Sequence, residues 1–185
     1  MNFLDIILFP LYVYLFHLIF TARRKKIKDP ALRFYHKYGF WVKIFSTFAI
    51  TIFNLYISIG DSTTLYYKEG NNLFNLILQD PENVKWLFME GKDFSKDLIL
   101  DSGNRGYFGS EANFFIIRLV AIFSFFSFGS YIVINLFFSM IAYTGIWKLF
   151  RFFYDIYPHL HRKIALAILF LPTLVFWSSG TLKDP

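Results

Sequence analysis

Long apolar blocks alternate with polar stretches along this chain. The four blocks cover residues 3–20, 40–59, 131–148 and 164–179. Each is close to the length of about 20 residues that an α-helix needs to cross a bilayer, and apolar runs of this length are typical of transmembrane helices. The pattern therefore predicts an all-α integral membrane protein with four transmembrane helices, organised as a single membrane domain over residues 1–185.

A further apolar stretch, residues 113–128, runs directly into the third block. One helix over residues 113–148 would be about 54 Å long, well beyond the ~30 Å hydrocarbon core of a bilayer. Phe128-Gly129-Ser130 is the natural break. Two full crossings would place the basic residues of 148–163 outside, against the positive-inside rule. Residues 113–128 are therefore predicted to form a re-entrant or interfacial helix.

The two longest polar stretches have opposite charge balances. Residues 21–43 hold eight basic residues and one acid, Asp29, whereas residues 60–112 hold nine acids and five bases. Because cytoplasmic loops are enriched in Lys and Arg, we expect the first stretch inside and the second outside as a long external loop. We interpret the basic residues of 21–43 as this topology signal rather than as a specific site for anionic lipids. Residues 73–78 and 84–89 are short and amphipathic, which predicts helices lying on the membrane surface.

Composition narrows the classes of function. The chain is 56% hydrophobic and has no cysteine, which excludes disulfides, thiolate metal sites and cysteine nucleophiles. The net charge of +6 does not indicate a nucleic-acid partner, because the basic residues cluster between apolar blocks. We expect membrane lipids as partners and a bacterial cytoplasmic membrane as the location.

Asp61 is the first candidate for chemistry, because it directly follows a span that points outward. A carboxylate at this boundary can accept a proton from a sugar hydroxyl or bind a divalent cation. The alternative is that Asp61 only caps the segment that follows. Tyr66, five residues on, offers a hydroxyl and an aromatic face suited to a sugar.

Charged residues beside apolar segments are the other candidates. Arg118 lies among apolar neighbours, where an arginine is costly and marks a functional site by default; its expected partners are Asp61, Glu111 or a lipid phosphate. Lys183 and Asp184 follow a small-residue break at Ser178 and Ser179, which we expect to contact the substrate because small residues let a lipid head group approach the backbone closely. Lys183 either binds a lipid-linked phosphate or snorkels to the surface, and Asp184 would orient it or assist a metal.

Single polar residues inside the blocks have a simpler interpretation. His17, Asn54 and Asn135 are expected to form interhelical hydrogen bonds rather than to bind a ligand. The spacing of His159 and His161 is a weak metal signal, because a basic loop disfavours a cation.

Gly60-Asp61 with Tyr66, residues 113–130 with Arg118, and residues 171–184 together resemble the front part of the polyprenyl-phosphate-dependent glycosyltransferases of the GT-C superfamily. The resemblance implies that Asp61 is the base or the ligand of a divalent cation. It implies that Arg118 and Lys183 bind the phosphate of a lipid-linked sugar donor, and that the sugar moves to an acceptor on the extracytoplasmic face.

The resemblance has departures and leaves alternatives open. Members of that superfamily usually have many more spans, so the chain is expected to be a fragment of a longer protein. They also often carry two adjacent acids, whereas Asp61 is alone until Glu69. A transporter or flippase-like module and a non-catalytic subunit of a larger membrane assembly remain as alternative functions.

Overall fold

The computed structural model describes residues 3–58, 60, 62–89 and 110–181, and every regular element in these ranges is helical. The α-helices are α1 (Phe3–Lys25), α2 (Pro30–Ile52), α3 (Lys68–Gln79), α4 (Glu111–Ser127), α5 (Tyr131–Ile156), α6 (His161–Ile168) and α7 (Pro172–Trp177). Phe53–Ile57 and Ser62–Tyr67 are π-helical, and Pro81–Leu87 and Pro158–Leu160 are 3₁₀ turns. The predicted all-α class is confirmed for this part of the chain.

Within the described ranges, three helices are long and apolar enough to cross a membrane. They are Leu4–Lys25, Pro30–Ile57 and Tyr131–Ile156, with 22, 28 and 26 residues. They correspond to the first three predicted spans, and each is longer than predicted because the helix continues beyond the apolar block into charged sequence.

The predicted start of the second span at residue 40 is wrong, because α2 begins ten residues earlier, at Pro30. Asp29 caps the helix: its Oδ1 accepts hydrogen bonds from the backbone N–H groups of Ala31 (2.7 Å) and Leu32 (3.4 Å). Pro30 suits the first helical position, where an N–H would have no helical partner. The basic loop predicted over residues 21–43 therefore shrinks to residues 26–29, and Lys43 lies inside α2.

The predicted fourth span, residues 164–179, is not one continuous helix. Helix α6 ends at Ile168 and α7 begins at Pro172, with Leu171 extended between them (φ −65°, ψ 116°). The cause is Pro172, which lacks an N–H and disfavours helical geometry in the residue before it. Pro172 therefore divides the predicted span into two short helices.

Helices α2 and α5 pack against each other in opposite directions. The Tyr35 and Phe150 rings are 5.3 Å apart near one end, and Asn54 donates to the Tyr131 hydroxyl at the other (3.1 Å). We call the end that holds Gly60, Ser62, Tyr131 and Thr181 the polar end. The end that holds residues 23–29 and 148–163 is the basic end.

Helix α1 runs alongside α5 in the same direction. Ser130 donates to Asp5 Oδ1 at the polar end (2.6 Å), and the Phe20 and Tyr143 rings are 5.4 Å apart further along. A buried cluster that includes Phe40, Tyr143 and Phe150 fills the space between these helices. The long helices thus form one bundle with two chemically different ends.

Helix α3 covers α4 with its apolar face, burying Leu73 and Ile77. The two helices approach closely at Gly70, where an added Cβ would collide with the Val120 side chain. The amphipathic segment predicted over residues 73–78 is therefore part of a helix, as predicted. Residues 84–89 instead lie in the 3₁₀ turn and just beyond it, and the position of either segment on a membrane surface stays a prediction.

The predicted break between residues 113–128 and the third apolar block, residues 131–148, is confirmed. Helix α4 ends at Ser127, and Phe128 and Gly129 are both left-handed (φ 51° and 72°) before α5 begins. Glycine adopts this conformation without steric cost, whereas phenylalanine does so at a cost. The 17-residue α4 matches the predicted residues 113–128, and its re-entrant or interfacial placement stays a prediction.

Candidate functional site

Hydrogen bonds between neutral side chains bring several elements together at the polar end. The Tyr131 hydroxyl bonds with Ser62 Oγ (2.6 Å) and accepts from Asn54. One turn further along α5, Asn135 Oδ1 accepts from both the backbone N–H (2.9 Å) and the hydroxyl (2.7 Å) of Thr181. The Asn135 amide also donates to Thr51 (3.0 Å). The interhelical bonds predicted for Asn54 and Asn135 are confirmed.

This network bears on three predicted site residues that are not themselves described. Asp61, Lys183 and Asp184 lie outside the described residues. Ser62 directly follows Asp61, and Thr181 precedes Lys183 by two positions. Ser62, next to Asp61, and Thr181, close to Lys183, are therefore held at the same end of the bundle.

A cavity of about 490 Å³ lies beside this network. Most of its lining side chains are neutral and carry a hydroxyl or an amide; the residues are Asn54, Leu55, Thr63, Thr64, Tyr67, Lys68, Asn71 and Asn72. The hydroxyls of Thr63 and Thr64 both donate to the Gly60 carbonyl (3.1 and 3.0 Å). Two residues that line the cavity are thereby bonded to the Gly60 carbonyl.

Tyr67 separates this cavity from a smaller one of about 110 Å³ and lines both. Its hydroxyl donates to the Gly129 carbonyl (2.7 Å), and burial raises the pKa of the phenol, so that Tyr67 stays a neutral hydroxyl. The smaller cavity is also lined by Asp5, a buried carboxylate that bonds Ser130. Sequence reasoning did not select Asp5, although a lone acid in an apolar block is a recognised signal.

Arg118 is held by neighbours from its own helix and from the segment before it. Its guanidinium lies 3.7 Å from the Glu111 carboxylate, donates to the Met89 carbonyl and sits 4.4 Å from the centre of the Phe114 ring. Glu111 is thus confirmed as one of the expected partners. Binding of a lipid phosphate by Arg118 stays a prediction.

Tyr66 is buried, and its hydroxyl donates to Asn113 Oδ1 (3.2 Å). This bond joins the π-helical Ser62–Tyr67 to the start of α4. The structure therefore gives Tyr66 a packing role, and its predicted contact with a substrate stays a prediction.

Ser178 and Ser179 hold a cation that sequence reasoning missed as a site residue. The Lys43 ammonium donates to the Ser178 carbonyl (2.7 Å), the Ser178 hydroxyl (2.6 Å) and the Ser179 hydroxyl (3.0 Å). Only 2% of Lys43 is exposed. Its charge sits just beyond the carboxyl end of α7, the end of a helix that favours a cation. The predicted contact of both serines with a substrate stays a prediction.

Two histidines, His17 and His161, lie within hydrogen-bond distance of hydroxyl groups. His17 lies 3.4 Å from the Thr21 hydroxyl on its own helix, so the interhelical bond predicted for it is wrong; its ring contacts Trp41 at 5.5 Å instead. His161 Nδ1 lies 2.7 Å from the Tyr35 hydroxyl. Among the described residues, no group of three or more His, Cys, Asp or Glu side chains could hold a metal ion.

Comparison with known proteins finds no family model, no curated protein and no solved structure that matches this chain. The function is therefore inferred from the arrangement of its side chains.

Proposed function

We propose that this chain is an integral membrane protein of the bacterial cytoplasmic membrane, with its polar end on the extracytoplasmic side. Helices α1, α2 and α5 cross the bilayer, and the broken segment 161–181 is a fourth crossing. Two contacts support the fourth crossing: His161 bonds Tyr35 near the basic end, and Thr181 bonds Asn135 near the polar end. The positive-inside rule supports the orientation.

We propose further that the polar end transfers a sugar from a polyprenyl-phosphate donor to an acceptor. The observation that carries this proposal is the 490 Å³ cavity beside Gly60, whose lining is dominated by neutral hydroxyl and amide groups. Its volume lies in the ordinary range for small-molecule sites, about 300–1,000 Å³. Hydroxyl and amide side chains can both donate and accept hydrogen bonds, as recognition of sugar hydroxyls requires.

In the proposed reaction Asp61 accepts the proton of the acceptor hydroxyl. The acceptor oxygen forms a bond to the anomeric carbon while the bond from that carbon to the phosphate oxygen breaks. The polyprenyl phosphate leaves with the electron pair, and its negative charge is stabilised by the cations Arg118 and Lys183. Lys68, which lines the cavity, is a further cation for this role. In the alternative version of this reaction, Asp61 binds a divalent cation instead of acting as the base.

The test uses the full chain in proteoliposomes with radiolabelled undecaprenyl phosphate mannose or glucose as donor and bacterial membranes as the source of acceptors. Asp61→Asn is expected to lower transfer of label about 100-fold or more, the usual contribution of a general base. Glu82→Gln, which removes an exposed acid of the same external segment, is the matched control and is expected to keep full activity. A well-folded Asp61→Asn protein with full transfer would remove the base role.

A transporter or flippase-like module is the second candidate. The observation that favours it is the break between α6 and α7, with Lys43 at the carboxyl end of α7, because discontinuous helices also build transport sites inside the bilayer. The same proteoliposomes separate the candidates. Movement of the intact donor between leaflets without transfer supports transport, and the absence of both activities supports a non-catalytic subunit.

A further inference from the structure

The basic end contains a cavity of about 550 Å³ between α1, α2, α5 and the connection of residues 26–29. Five of its lining side chains are basic: Arg23, Lys26, Lys28, Lys148 and Arg151. They come from two stretches, residues 23–28 and 148–151, that are 120 positions apart in the sequence. The fold therefore places these positive charges together in one cavity. Basic residues that only set the membrane topology would not need to share a cavity.

Asp29 is the acid that lines this cavity, and its carboxylate is already engaged. One oxygen caps α2, and the other accepts a hydrogen bond from the Tyr154 hydroxyl (2.6 Å). The Tyr154 hydroxyl holds the pKa of Asp29 below its usual value, so the carboxylate stays ionised where it is fixed. Five positive charges against one negative charge leave an excess of four in the lining.

Most of these basic groups lack an ion pair within the part of the chain that the structure describes. Arg151 lies 3.9 Å from Asp155. The other four, Arg23, Lys26, Lys28 and Lys148, have no carboxylate within salt-bridge distance among the described residues. The cavity thus presents cations whose charge is available to an anion.

The connection that forms one wall is held in place. Arg33 donates to the carbonyls of Ile27 (2.6 Å) and Lys28 (3.0 Å), which fixes the backbone beside the cavity. Phe20 and Trp147 form an aromatic part of the lining. The site therefore offers an ordered mixture of charge and apolar surface.

An apolar groove of about 370 Å³ adjoins this cavity and shares Phe20, Arg23 and Thr144 with it. The rest of the groove is lined by Phe16, Ile19, Phe123, Phe137, Met140 and Ile141. A free phosphate ester would use the basic cavity alone. A ligand that carries both a phosphate and a hydrocarbon chain would fill both spaces.

We propose that the basic end binds an anionic phospholipid, with the phosphate headgroup in the 550 Å³ cavity and an acyl chain in the adjoining groove. Basic pockets between membrane helices commonly bind such headgroups. The site is at the opposite end of the bundle from the proposed transfer site, and it stands whether or not the chain transfers sugars.

The first test compares lipid adducts on the detergent-purified full chain by native mass spectrometry, with phosphatidylglycerol against phosphatidylcholine. The double substitution Lys148→Gln and Arg151→Gln is expected to lower retention of phosphatidylglycerol roughly 30-fold, the effect expected of two basic groups near an anionic lipid. The matched control, Arg162→Gln with Lys163→Gln, removes two exposed charges of the same end that do not line the cavity. It is expected to change retention less than about twofold. Equal losses in both variants, or no preference for phosphatidylglycerol, would overturn the proposal.

A second test distinguishes a lipid from a free phosphate. Ile141→Trp places a larger side chain in the groove and leaves every basic group in place, and it is expected to lower phosphatidylglycerol retention several-fold. Millimolar inorganic phosphate or glycerol 3-phosphate is expected to compete poorly with the lipid. If either soluble anion displaces the lipid fully and Ile141→Trp has no effect, the site binds soluble phosphate esters and the lipid proposal is wrong.

Discussion

The two ends of the bundle use polar side chains in opposite ways. At the polar end, neutral groups form hydrogen bonds across elements, Tyr131 with Ser62 and Thr181 with Asn135. At the basic end, cations such as Arg23 and Lys148 line a cavity without ion pairs among the described residues. An unpaired neutral group inside a membrane is costly, so the hydrogen bonds of the polar end rigidify the fold. A charge at the membrane surface can be solvated, so the cations of the basic end do not need a protein partner. The basic end thereby keeps charge free for a ligand.

Lys43 lies between the two ends. Like the residues of the basic end it is a cation, and like those of the polar end it is hydrogen-bonded within the protein, to Ser178 and Ser179. It joins α2 to the end of α7, just before the turn that delivers Thr181 to Asn135. The polar end therefore depends on a charge buried in the middle of the bundle.

The largest expected effect is that of Lys43→Met. The substitution keeps much of the side-chain volume but removes three charge-assisted hydrogen bonds; relief of the buried charge offsets part of the loss. We expect the free energy of unfolding to fall by about 2–4 kcal/mol, measured by thermal or denaturant unfolding in detergent. Lys37→Met, an exposed position on the same helix, is the control and is expected to change little. Equal stability of the two variants would contradict the role given to Lys43.

An intermediate effect is expected from adding a methyl group at Gly70. An alanine Cβ there would collide with Val120 and come within 3.1 Å of the Ile117 carbonyl oxygen, so α3 would have to move away from α4. We expect Gly70→Ala to cost about 1–3 kcal/mol in the same measurement. It should also weaken sugar binding, since α3 lines the polar cavity, but leave phosphatidylglycerol retention unchanged.

Gly145→Ala is the matched control for this substitution. Gly145 lies in α5, and an added Cβ there meets no atom within 4 Å. Because alanine is a better helix former than glycine, we expect this variant to be neutral or slightly more stable.

A loss of phosphatidylglycerol retention in Gly70→Ala would mean that the two ends are coupled rather than independent.

The smallest effect concerns Asp29 and its dependence on pH. Its pKa in the folded protein is depressed, chiefly by the bond from Tyr154, so its contribution to stability is present above the usual value of 3.8 and is lost as pH falls through the lower folded value. Asp29→Asn can still cap the helix but does not titrate. We expect wild type to exceed this variant by only about 1–2 °C in Tm at pH 7, because the carboxylate is partly exposed to solvent, which screens its charge. The difference should vanish well below pH 3.8; a difference independent of pH would contradict this account.

The sequence predicted the long helices because their signal is local. The apolar blocks at residues 3–20 and 131–148 each fall inside one helix of the structure, and the second block is helical over residues 40–57. The break at residues 128–130 was predicted for the same reason, since helix length and a glycine both pointed to it. Where one stretch of residues carries the whole signal, sequence reasoning was sufficient.

The errors arose where charge or tertiary contact decides the outcome. The start of α2 was missed because its first turns are basic, although Asp29-Pro30 is a recognisable start signal. Lys43 was counted as the last residue of a loop, and its partners, Ser178 and Ser179, lie 135 and 136 positions away. The basic cavity likewise depends on a meeting of α1 with α5 that no local pattern encodes.

The short connection between α1 and α2 has a consequence for biogenesis. Residues 26–29 reach about 14 Å when fully extended, less than half of the ~30 Å hydrocarbon core. If both helices cross the bilayer as proposed, the carboxyl end of the first and the amino end of the second must therefore stay on the same side of the membrane throughout synthesis. In the proposed topology these two helices enter the bilayer together as a hairpin, and the cationic residues at its tip never have to be translocated.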